Sequence, residues 1–93
     1  MITKVHISKL AEKDLRKVPV HVFRKFYIWV KFVSQLGIRE VRKSKGFHDE
    51  PLKGKRKGQR SIRLNKSYRA IYVIKDSGDI EFIEVQEVNK HEY

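Results

Sequence analysis

The chain has 93 residues, carries 22 Lys and Arg against 11 Asp and Glu for a formal net charge of +11, and contains no cysteine. That length allows one domain, residues 1–93, with one hydrophobic core, and the lack of cysteine excludes disulfides and thiolate metal sites. With 40% apolar and 11% aromatic residues the chain can fold, so its charge belongs to a surface rather than to disorder.

Residues 2–7, "ITKVHI", alternate, with Val5 and Ile7 on one face and Lys4 and His6 on the other, which predicts a short strand. Ser8 then offers an N-cap for a helix carrying Leu10, Ala11, Leu15 and Val18. Pro19 suits the first turn of a second helix, and Gly37 lies just past its end. Between them Val22, Phe26, Trp29, Val33 and Leu36 step by four and three, a continuous face widened by Phe23, Tyr27, Val30 and Phe32. At helical spacing this stripe reads as core rather than as a row of rings for stacking bases. The basic stretch "REVRKSKG" (39–46) adds a short helical turn.

After it comes the segment "DEPLKGKRKGQRSIR", residues 49–63, with six Lys and Arg between Lys53 and Arg63. Strands follow at "RSIRL" and "YRAIYVI", then a turn at "KDSGD" where Gly78 can take positive φ, then "IEFIEVQEV". The order β-α-α-β-β-β predicts an α+β domain, an antiparallel sheet with two N-terminal helices packed on one face. The opposite face is then free for function.

The excess of positive charge points to a polyanionic partner, nucleic acid first. No apolar run approaches the roughly 18 residues needed to span a membrane. No apolar segment follows the first methionine, so a soluble protein of a reducing cytoplasm is expected. His6, His21, His48 and His91 share no ligand spacing on a helix, and no metal or cofactor is expected.

On "SIRL" the apolar Ile62 and Leu64 point one way and Arg63 the other, while Arg69 shares a strand face with Ile71 and Val73. Two arginines on neighbouring strands either grip a phosphate or pair with Glu81, Glu84 or Glu87 across the sheet.

"EPLKG", then "SIRLNKSYRAIYVI", then a C-terminal "VNKHEY" resemble the RelE superfamily of toxins from toxin–antitoxin pairs, especially its HigB and YoeB-like members. The likeness runs through the whole element order and is strongest from Glu50 to the end. It implies a type II toxin, an endoribonuclease that cuts messenger RNA on the ribosome and is held inactive by a cognate antitoxin. RNA carries its own nucleophile, the 2′-hydroxyl. Metal-free cleavage therefore needs a base, cations for the phosphorane and an acid for the leaving 5′-oxygen.

By resemblance Glu50 stands where YoeB-like toxins place the base, a position at which many HigB relatives have histidine. Arg69 matches a position in the active cleft, His91 the acid, and Tyr93 a terminal tyrosine that stacks on a base or orients the phosphate. Lys53 and Arg63 join Arg69 as phosphate ligands. Arg60 counts with the RNA- and phosphate-binding cations, while Lys55, Arg56 and Lys57, with Arg39, Arg42, Lys43 and Lys45, supply docking charge for RNA backbone. Two other functions fit the composition: a ParE-like inhibitor of DNA gyrase on the same scaffold, and a non-catalytic basic RNA-binding module.

Overall fold

The computed structural model describes residues 1–90. In chain order it contains strand β1 (Val5–Ile7), helices α1 (Lys9–Leu15), α2 (Val20–Leu36) and α3 (Ile38–Val41), and strands β2 (Glu50–Pro51), β3 (Arg60–Arg63), β4 (Tyr68–Asp76) and β5 (Glu81–Lys90). The strands form one sheet in the order β1-β5-β4-β3-β2. The expected α+β architecture is present. The short helical turn expected at the basic stretch forms as α3, and the one addition is the two-residue edge strand β2 paired with β3. The sheet is antiparallel at every junction but one, since β1 runs parallel to β5. A parallel neighbour requires a long crossover, and the helices of the N-terminal half lie within it.

Local chemistry explains the helix ends. Ser8 Oγ accepts from the Ala11 N–H at 3.0 Å and donates to the Gln86 carbonyl at 2.8 Å, so the cap of α1 also ties that helix to β5. Gly37, at φ 81°, ends α2 in a backbone region costly for other residues, and the turn brings the Ile38 N–H to within 2.9 Å of the Ile2 carbonyl.

Val22, Phe26, Trp29 and Val33 are fully buried against a sheet face formed by Ile62, Leu64, Ala70, Tyr72, Ile83 and Val85. The buried stripe is narrower than the apolar one. Leu36 is 51% exposed, and Phe23, Tyr27 and Phe32 are also partly exposed. The chain reverses after Leu36, and Ile38, just past the turn, is the residue buried there. Among the described residues no helix is long and apolar enough to cross a membrane.

The other sheet face carries two rows of side chains. Glu50, Ser61, Ile71 and Glu87 pair in register across β2 to β5, and Arg63, Arg69 and Asn89 form the row beside them.

Candidate active site on the outer sheet face

Asp49 and Glu50 are neighbours in sequence and serve opposite faces, as extended chain requires. The Asp49 side chain is 1% exposed. Its Oδ1 accepts from Arg60 Nε at 2.7 Å and its Oδ2 from the Tyr72 hydroxyl at 2.5 Å, while Arg42 Nε donates to the Tyr72 oxygen at 3.2 Å. Burial and the hydrogen bond to Asp49 push the Tyr72 pKa well above its ordinary value, against the opposing effect of Arg42. For Arg60 burial acts downward, but the hydrogen bond and charge of Asp49 outweigh it and the pKa is raised. This closed network fastens the segment before β2 to β3 and β4, and so fixes where Glu50 stands.

Glu50 faces outward into a cleft of about 60 Å³ lined by His48, Glu50, Ser61, Arg63, Asn65, Lys66, Tyr68 and Arg69. Pockets for drug-sized ligands run to roughly 300–1,000 Å³, so this one suits a phosphate-sized group. The β3–β4 turn that frames it is held by Asn65, whose Oδ1 accepts from the Ser67 and Tyr68 N–H groups at 2.7 Å each.

Arg63 lies directly opposite Arg69 in the antiparallel ladder. Like charges in that relation destabilise a sheet by up to about 1 kcal/mol unless something negative sits between them. Among the described residues neither arginine has a carboxylate partner. The acidic groups across the sheet serve others, with Glu87 3.2 Å from Arg56 and Glu84 3.1 Å from Lys75. Arg69 Nε is buried and, among the described residues, has no hydrogen-bond partner. Of the two fates open to these arginines, pairing with Glu81, Glu84 or Glu87 is therefore not the one adopted.

The structure brings Glu50, Arg63 and Arg69 together and separates them from the rest of the expected basic set. Arg60, counted among the RNA-binding cations, has a partner within the protein. As a strand neighbour of Ile62 it lies on the inner face in an ion pair with Asp49, and it does not reach the cleft. Lys53 is exposed ahead of the single-turn helix Gly54–Arg56 and does not line the cleft either. Lys55 and Lys57 are exposed on that turn, whereas Arg56 is held by Glu87 and by Gln59 Oε1 at 3.1 Å. His91 and Tyr93 lie outside the described residues.

Two cleft residues, His48 and Lys66, escaped the reading of the sequence. Lys66 sits in the turn between the two arginines. His48 stands two residues before Glu50 in "HDE", but its backbone is left-handed rather than extended, so no period of two announces it. Among the described residues no three His, Asp or Glu side chains gather as a metal-binding set.

No protein-family profile matches the sequence, and no curated protein matches it significantly. Solved structures do. A YoeB/ParE toxin from Agrobacterium tumefaciens superposes with a TM-score of 0.72 at 20% identity, covering 96% of this chain and 99% of its own. The RelBE2 toxin–antitoxin complex from Mycobacterium tuberculosis matches with a TM-score of 0.70 at 21% identity, over 98% of this chain and 100% of the matched one. The YoeB dimer from Staphylococcus aureus gives 0.68 at 20% identity, with both chains fully covered. The chain resembles these proteins over its whole described length and has the fold of the YoeB- and RelE-type toxins.

Proposed function

We propose that this chain is the toxin of a type II toxin–antitoxin pair, an endoribonuclease that cuts messenger RNA on the ribosome through attack of the RNA's own 2′-hydroxyl. The observation that carries the reading is the facing pair Arg63 and Arg69, without counter-charge among the described residues, beside Glu50 in a phosphate-sized cleft. A sheet that bears this repulsion gains from it when an anion binds. The fold likeness to toxins, one of them solved in a toxin–antitoxin complex, supports the same assignment and a cognate antitoxin as partner.

In this mechanism the scissile phosphate lies between the two guanidinium groups, whose planar forks match its oxygens. Glu50 takes the proton of the 2′-hydroxyl as that oxygen attacks phosphorus. Arg69, partly buried, stabilises the charge that develops on the phosphorane more strongly than a cation in water would. The leaving 5′-oxygen needs a proton, a role that the sequence resemblance gives to His91. The products are a 2′,3′-cyclic phosphate and a free 5′-hydroxyl. Lys55 and Lys57, outside the cleft, hold ribosomal RNA backbone.

Brief induction of the protein, followed by mapping of transcript ends, tests the reading. New ends inside coding regions, arrest of translation, and relief by the product of the neighbouring gene are expected. A transcript with 2′-deoxy at the cleaved nucleotide should resist cutting. Efficient cleavage of that substrate would exclude the mechanism, and normal growth at a verified high protein level would exclude a toxin.

A further inference from the structure

His48 is an imidazole in the cleft that neither the fold nor the sequence resemblance uses. Its Nε2 lies 3.8 Å from Glu50 Oε2, and both side chains are 55% exposed, so each is open to a substrate. Arg63, Lys66 and Arg69 line the same cleft, and Arg42, Lys43 and Lys45 flank the groove on the other side of His48.

The backbone points the same way. At φ 47° and ψ 51°, His48 is left-handed, the sole residue other than glycine with positive φ among those described. It closes the single-turn helix Lys45–Phe47, a position where glycine or asparagine meets the conformation at lower cost. A ring is held there although the turn does not require one. What the position supplies is reach, because it sets the imidazole on the cleft side of Glu50.

We infer that His48, rather than His91, is the general acid of this cleft, an inference that rests on the endoribonuclease reading. The 2′-O–H bond breaks with its proton passing to the Glu50 carboxylate, and the 2′-oxygen bonds to phosphorus. As the P–O5′ bond breaks, its electron pair stays on O5′, which takes the proton from Nε2 of the His48 imidazolium. The enzyme is left with protonated Glu50 and neutral His48. Because the two groups are neighbours, return of that proton from Glu50 to His48 restores the starting state with no net gain or loss.

Single-turnover cleavage on programmed ribosomes tests the assignment, with the wild-type site mapped first. The two probes are an ordinary messenger RNA and one whose leaving 5′-oxygen is replaced by bridging sulfur. A thiolate leaves without protonation, so the sulfur substrate bypasses the acid. His48→Asn, which suits left-handed backbone, should cut the ordinary RNA roughly 10²–10⁴-fold more slowly and the sulfur RNA within a few-fold of wild type. Glu50→Gln should be slow on both. His48→Gly serves as the second variant should the Asn protein fold poorly.

A His48 variant that is slow on both substrates is a positioning defect and overturns the inference. So does one with ordinary rates on both, or sulfur rescue confined to His91→Gln. Wild-type protein that cuts neither RNA removes the endoribonuclease reading itself, and this inference with it.

Discussion

The two faces of the strand pair β2–β3 treat charge in opposite ways. On the inner face Asp49, Arg60, Tyr72 and Arg42 satisfy one another through hydrogen bonds of 2.5–3.2 Å. On the outer face, three residues along from Arg60 and Tyr72, Arg63 opposes Arg69 and the buried Nε of Arg69 has no partner among the described residues. Polar groups that hold a fold are found paired, because an unmet buried group costs stability. Among the described residues the outer face departs from that rule where the cleft opens, and the facing arginines there are the basis on which an anionic ligand is proposed.

The contrast predicts that neighbours in sequence fail differently. Asp49→Ala removes the acceptor of both Arg60 and Tyr72, and breaking a buried charged pair typically costs about 3–5 kcal/mol. The lower end applies, since the Arg60 side chain is a quarter exposed. For a domain of this size that lowers Tm by on the order of 10–20 °C. Glu50→Ala, one residue on, should leave Tm nearly unchanged while ending cleavage. Equal thermal losses in the two variants would erase the distinction between the faces.

The arginines should divide in the same manner. Arg69→Ala is expected to lower cleavage by about 10²–10³-fold, the usual effect of losing one donor to transition-state charge, about 2.7–4 kcal/mol. Its stability should hold or rise slightly, because a like-charge contact is gone. Arg60→Ala should do the reverse, losing stability first. Circular dichroism melts beside cleavage rates separate the cases, and an unfolded Arg69→Ala would place that residue with the structural set.

Much of this is legible in the sequence. The period of two in "SIRL" and "YRAIYVI" correctly sends Arg63 and Arg69 to one face, and the Ser8 cap and Gly37 stop are where the chain chemistry puts them. The pairing of Arg60 with Asp49 is not legible, because a basic run looks uniform in sequence. Its duty depends on Asp49, eleven residues away, and on Tyr72 of another strand, and no local pattern encodes such a meeting. The same limit explains Leu36. Its periodicity is right, but burial depends on what packs opposite, and the helix stops there. β1 gave no sign of its parallel partner because pairing direction is decided by the crossover.

Alkaline pH offers a gentler test of the inner network. The folded pKa of Tyr72 is raised, so above the ordinary tyrosine value of 10.0 the native state keeps a proton that the unfolded chain releases. Stability is then fully present below about pH 10 and declines as pH rises past it. Tyr72→Phe should cost about 1.5–3 kcal/mol near neutrality, the usual worth of a hydrogen bond to a charged group, and should flatten that alkaline decline. Denaturant melts between pH 8 and pH 11 read both effects, and an unchanged slope in the variant would mean that another group governs the alkaline limb.

The smallest effect belongs to the basic turn, where the comparison recurs within three residues. Lys55 and Lys57 are exposed and in no ion pair among the described residues, whereas Arg56 is 3.2 Å from Glu87 and 3.1 Å from Gln59. A cation already paired within the protein has less to offer a phosphate, because binding must first give up the internal contact. Affinity for ribosomes or RNA should fall linearly in log–log form with salt, as displaced counterions return. Lys55→Ala and Lys57→Ala should each reduce that slope by about 1, with a uniform weakening across sequences. Arg56→Ala should reduce it by less, despite an identical change in net charge. Filter binding at several salt concentrations measures all three. If the three slopes change equally, the turn acts through net charge alone, and internal pairing does not set which cations meet the RNA.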